Sequence, residues 1–186
     1  MKRFFVAALT MFVFAGCVSI SSPVPFLRGK PNYSNISAES LNAVALQVER
    51  AIQEGNREPD IENRDGIVVN DDVVMQAIRT RAARAELVSD FLDTGYGRED
   101  NNGLLKVLGS REYRRQTTRR QRSRDALLVL NENRDRWAMF ERIAKASEVR
   151  VSTATIQDAF YQARISVMKD GQKFQTAQGD TVVKGN

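Results

Sequence analysis

The chain has no histidine and one cysteine, Cys17, in 186 residues. Without imidazole there is no Ser-His or Cys-His nucleophile pair and no histidine-bound metal. One thiol cannot form an intrachain disulfide or a zinc–thiolate site, so a domain of this size must be held by helix packing. Prolines are few: Pro23, Pro25 and Pro31 cluster near the start, and Pro59 is the fourth. The apolar run from Phe4 to Phe14 falls short of the ~20 residues that span a bilayer. Any catalysis would have to come from carboxylates, lysine or tyrosine.

That short run has a telling setting. Lys2 and Arg3 precede it and small Ala15 and Gly16 follow, the layout of a secretory signal with a small-residue cleavage site. Phe14-Ala15-Gly16-Cys17 resembles the lipobox of bacterial lipoproteins, with Phe14 where Leu is usual. The resemblance implies that residues 1–16 are removed and that Cys17 is acylated on its thiol and its new amino group. The chain would then be tethered to a membrane and folded outside the cytoplasm. Two or more acyl chains anchor stably where one does not. Val18-Ser19 lacks the Asp that retains such lipoproteins in the inner membrane, so the expected place is the outer membrane, facing the periplasm.

Residues 17–36, rich in Ser, Pro and Gly, read as a lipidated, flexible tether. Residues 37–70 read as one helix and a loop. Ser37 can cap that helix, and Leu41, Val44, Ala45, Val48 and Ile52 form its apolar stripe, ended by Gly55. The loop to Asn70 carries Asp60, Glu62 and Asp65, but Arg64 and Asp65 stand where a calcium loop needs a carboxylate and a glycine. A short strand at Ile67-Val68-Val69 is one reading of its end.

A second helix is expected from Asp71 to Asp93, stopped by Gly95, and a third from Thr118 to Ser147. The third has a stripe of Ala126, Leu130, Asn133, Trp137, Phe140 and Ala144, joined by Leu127, Val129 and Ile143. Asn133 in that stripe needs a hydrogen-bond partner, and the expected one is the backbone of the glycine loop that runs from Gly95 to Gly103. A ligand contact is the sharper alternative. A fourth helix, Thr153 to Lys169, is capped by Ser152. The tail from Phe174 to Lys184 suits a small hairpin or a strand offered to a partner. The expected fold is mostly α: about four helices, a flexible N-terminal tether and a short, possibly β, tail.

Gly95-x-Gly97-x-x-Asp-Asn-Asn-Gly103-Leu-Leu, Asn133-x-x-Arg136 and Phe140-x-x-Ile143-Ala144 resemble the YdbL-like family over about Arg84 to Lys184. Arg98 stands where that family favours Glu, Phe140 where it favours Tyr, and the tail lacks its usual Trp. The resemblance implies a small helical envelope domain over 71–186 with no known catalytic activity. It also implies a partner: an AsmA-like protein that bridges the two membranes and carries phospholipid. Gly95, Gly97, Gly103, Asn133 and Arg136 are carried over as fold-defining positions.

Charge is uneven. Without Lys2 and Arg3, 26 basic residues face 23 acidic ones. Arg111, Arg114, Arg115, Arg119, Arg120, Arg122 and Arg124 fall within 14 residues, opposed only by Glu112. In an exported chain, nucleic acid is not the expected partner. Anionic headgroups or an acidic protein surface fit, since Arg pairs phosphate and carboxylate bidentately; a solvated, partly disordered run is the plainer alternative.

The expected function is therefore a non-enzymatic envelope lipoprotein assisting a lipid-transport bridge, with no cofactor or metal. The alternatives are a lipid-binding module and a hydrolase built on Glu99 and Asp100, whose two carboxyls would have to stand across a substrate.

Overall fold

The computed structural model describes residues 37–185; the expected signal peptide, Cys17 and the tether lie outside them. Five helices and four short strands follow in the order α1 (Ala38–Gln53), α2 (Asp72–Asp93), β1 (Gly97–Glu99), β2 (Leu105–Val107), α3 (Arg111–Gln116), α4 (Arg119–Ala146), α5 (Thr153–Val167), β3 (Lys173–Gln175) and β4 (Thr181–Val183). None of these helices is long and apolar enough to cross a membrane.

Side-chain oxygens start the helices. Ser37, Asp71, Ser110, Thr118 and Ser152 each accept a backbone N–H of the first turn, and Thr118 with Gln121 forms a full capping box. The expected bounds of α1, α2, α4 and α5 hold to within two residues. Leu41, Val44, Ala45, Val48 and Ile52 of α1 are buried against Val74, Ala77 and Ile78 of α2, Met139, Phe140 and Ile143 of α4, and Ile156, Ala159 and Phe160 of α5. Residues before and after position 70 thus share one core. Ile67 and Val69 of the connecting loop are buried in it too, without forming a strand: only an Arg64–Ile67 bridge is present there.

The sheet is larger than a tail. The glycine loop is itself a hairpin, with β1 and β2 antiparallel, and β3 pairs in parallel with β1 through Glu99 and Phe174. The order is β2-β1-β3-β4. The tail's first strand is therefore consumed within the molecule, and β4 forms one edge of the sheet.

Two more expectations need correction. The arginine-rich run is not a disordered lead-in: Arg111–Gln116 forms α3, seated by the buried Tyr113. The stripe expected to bury α4 holds at Phe140 and Ile143, which are buried, and in part at Val129, Asn133 and Ala144, but its other members are turned away. Ala126, Leu127, Leu130 and Trp137 are exposed, and the buried positions are Glu132, Arg136, Met139, Phe140 and Ile143. Two charged residues on that inward face dictate the helix's rotation.

Candidate functional site

Six charged side chains form the centre of the molecule. Arg81 of α2 lies between Glu49 of α1 and Glu132 of α4. Its Nη1 and Nη2 stand 2.8 and 3.0 Å from the two Glu49 oxygens, and its Nε donates to Glu132 Oε1 at 2.9 Å. Arg136 donates from Nε to the same Glu132 oxygen at 2.8 Å. Its Nη1 and Nη2 reach Glu99 of β1 at 2.5 and 3.0 Å. Arg164 of α5 donates to Glu99 Oε1 at 3.1 Å and to Gln53 Oε1 at 2.9 Å. The path starts at Glu49 and ends at Gln53, one turn apart on α1, after passing through α2, α4, β1 and α5.

Three guanidiniums face three carboxylates, all buried, so the ring is neutral. An isolated buried charge is far too costly to survive; alternating signs with hydrogen bonds at every link make the arrangement tolerable. Burial works against ionised Glu99, but the Arg136 and Arg164 guanidiniums outweigh it and hold its carboxyl down at about 2. Burial likewise opposes ionised Glu132, and Arg81 and Arg136 hold it well below the usual carboxylate range. Arg136, despite burial, is held above its ordinary value by Glu99 and Glu132. Carboxylates so fixed neither take up nor release a proton near neutral pH.

The carried-over positions converge beside this ring. Asn133 grips the backbone of β2: Leu105 N–H donates to its Oδ1 and its Nδ2 donates to Leu105 C=O, both at 2.8 Å. Arg136 also donates to the Gly103 carbonyl at 3.1 Å. Gly103 has φ +76°, and a Cβ there would stand 3.1 Å from the Gln157 carbonyl. At Gly97 the limit is space: a Cβ would fall 2.5 Å from the Phe91 ring. Gly95 ends α2, its N–H donating to Leu92 C=O. Asn133 and Arg136 thereby hold the hairpin to α4.

Sequence reasoning named Asn133 and Arg136 but missed Glu49, Arg81, Glu132 and Arg164. One signal was available for Glu49: it sits beside Val48 on the apolar side of α1. Glu99 was read as a candidate acid next to Asp100. Adjacent strand residues point to opposite faces, and these two do. Glu99 is enclosed, while Asp100 pairs on the other side with Arg98 at 2.5 Å and Lys106 at 3.4 Å. They do not face one another across a cleft.

The arginine cluster divides. Arg111, Arg114, Arg115, Arg119, Arg120 and Arg124 are exposed. Arg122 instead donates to the Thr117 and Arg114 carbonyls, closing the end of α3. No carboxylate among the described residues lies within ion-pair distance of any of the seven. Surface depressions of about 380 and 410 Å³, beside α1 and between α2 and α4, touch neither the ring nor this cluster. The chain matches no family model, no curated protein and no solved structure.

Proposed function

We propose that this chain is a lipid-anchored, non-catalytic docking domain of the bacterial cell envelope, held at the outer membrane through Cys17. In this reading it serves as an accessory to an AsmA-like protein that bridges the two membranes. The contrast between interior and surface supports it. The charges set deepest in the fold neutralise one another around a closed path, whereas six exposed arginines stand without carboxylate partners on α3 and the start of α4. The carboxylate pair best placed by sequence for a hydrolase, Glu99 and Asp100, points to opposite sides, which favours the docking reading over that one. A docking domain needs a rigid body with unneutralised charge outside, which is the arrangement present. For location and class of partner the reading rests on the resemblance of the leader to a lipoprotein signal and of the glycine loop to the YdbL-like pattern.

Two measurements test it together. Intact mass of the native product should give a chain starting at an acylated Cys17. Photocrosslinking from positions 111 and 115 on α3 in native membranes should recover one large membrane-bridging protein. An unprocessed chain retaining Met1 without acyl groups overturns the location, and crosslinks to no membrane-bridging protein overturn the role.

A further inference from the structure

We infer that the outward face of α4 lies on an anionic lipid surface, with Trp137 at headgroup level. This deepens the docking reading by naming what the basic region touches.

The helix has 28 residues and is about 42 Å long. Its buried residues begin only at Glu132, so the first half leaves its outer side in solvent. Along that side run Arg119, Ser123, Leu127, Leu130, Arg134 and Trp137, at steps of 4, 4, 3, 4 and 3 residues, which is one face of a helix. Arg120 and Arg124 flank the row. Leu127, Leu130 and Trp137 are 58, 63 and 44 % exposed. Single exposed apolar residues are ordinary. Here, however, three of the five large exposed apolar side chains of the described residues share one stripe with arginines.

Each residue type suits the boundary between headgroups and acyl chains. Arginine binds phosphate oxygens bidentately while its methylene stem lies along apolar surface. Leucine enters the acyl boundary, and tryptophan prefers the interface, where its ring is half apolar and its N–H stays hydrated. A second copy of the chain does not fit, because the same face would set Arg119, Arg120, Arg124 and Arg134 against their own kind. An acidic protein surface would satisfy the arginines but leave Leu127, Leu130 and Trp137 on charge. A bilayer accepts alternating cations and apolar side chains on a convex helix without needing a complementary groove.

Trp137 is the chain's single tryptophan, so its emission reports from this face alone. The test places the full chain on phosphatidylcholine vesicles with and without phosphatidylglycerol, with brominated acyl chains as a depth-dependent quencher. On the anionic vesicles, Trp137 emission should shift to the blue and be quenched; on pure phosphatidylcholine it should not. Each Arg→Gln change among Arg119, Arg120 and Arg124 should lower this contact about fivefold, and all three together about 100-fold. Leu127→Ser with Leu130→Ser should abolish the quenching while helicity is kept, since both side chains are exposed. An unshifted Trp137 on anionic vesicles overturns the inference, as does equal quenching on neutral vesicles. So does a Trp137 shift produced by self-association or by polyglutamate with none on vesicles. Sedimentation of the same samples reads the tether separately: a chain that sediments without quenching keeps its anchor and loses this face.

Discussion

The Arg136 guanidinium and the Glu99 carboxylate meet edge to edge in the interior, nitrogen to oxygen at 2.5 and 3.0 Å, with residue exposures of 2 and 0 %. Arg164 approaches the same carboxylate from α5, so one strand residue fixes two helices. Replacing such a pair with well-packed apolar groups can be neutral, but stranding one member is not. Glu99→Gln keeps the shape and leaves two buried guanidiniums facing a neutral amide. It should cost about 3–5 kcal/mol in urea unfolding. Arg136→Met should cost a similar amount, and Glu99→Leu with Arg136→Met clearly less than the two together. Additive losses would show that the two residues are not coupled.

The same carboxylate makes stability depend on acid. Its ordinary value is 4.5, and in the folded chain it is held at about 2 by Arg136 and Arg164 against the effect of burial. Between these values the unfolded chain binds the extra proton, so stability falls as pH falls. The contribution is complete above the unfolded value and lost as pH drops through the folded one, about 3 kcal/mol in all. Glu132, also held well below the usual range, acts in the same direction from the same unfolded value. Urea unfolding from neutral pH to about pH 2 should show this decline, and Glu99→Gln should make it shallower while leaving the share of Glu132. A parent protein equally stable at about pH 5 and pH 3 contradicts the assignment.

Gly97 is a matter of space rather than of backbone freedom. A methyl group there would press on the Phe91 ring at 2.5 Å. Gly97→Ala should therefore destabilise by about 1–3 kcal/mol. Adding Phe91→Leu, which removes the obstructing ring edge, should recover part of that loss despite thinning the packing around Leu92. If Phe91→Leu only adds its own cost, the contact is not the reason for glycine.

Tyr113 seats a helix too short to stand alone. Its ring is buried 5.1 Å from that of Tyr96, and its hydroxyl donates to Asp125 at 2.8 Å. Tyr113→Ala should free α3 locally and speed trypsin cleavage after Arg114 and Arg115 about tenfold or more, with the main unfolding transition little moved. Unchanged cleavage would mean that α3 is held by something other than this side chain.

The helices were legible because apolar stripes and capping side chains are local. Leu41 to Ile52 behind Ser37 needs no distant partner to be read. A hairpin was one of the two readings of the tail, and β3 with β4 forms one. β1 and β2 were not legible, because Gly97–Glu99 and Leu105–Val107 are three residues each, too short for alternation to show, and the β1–β3 pairing joins segments far apart in the chain. The ion ring was hidden for a related reason. Glu49, Arg81 and Glu132 look like solvent-facing residues until opposite charges arrive from helices 30 to 50 positions away. Leu130 and Trp137 misled for the converse reason: hydrophobicity alone assigned them to the core, while Glu132 and Arg136 set the rotation of α4.

Asn133 joins these levels in one side chain. The hairpin's register leaves the N–H and C=O of Leu105 pointing away from β1, because Glu99 and Leu105 form a pair without mutual hydrogen bonds. The Asn133 amide fills both places, standing in for the next strand and closing that edge of the sheet. Asn133→Ala should strand two backbone groups and cost about 2–3 kcal/mol. Asn133→Asp should cost more, since it loses the donor to the Leu105 carbonyl and sets a charge against that oxygen. Asn133→Gln keeps both functions one methylene too far out and should not restore the parent. Amide hydrogen exchange gives the decisive readout: the Leu105 N–H should lose protection in Asn133→Ala, while Asp100 N–H, bonded to Leu104 C=O within the hairpin, keeps it. Equal loss at both sites would mean that Asn133 holds the whole hairpin and not only its edge.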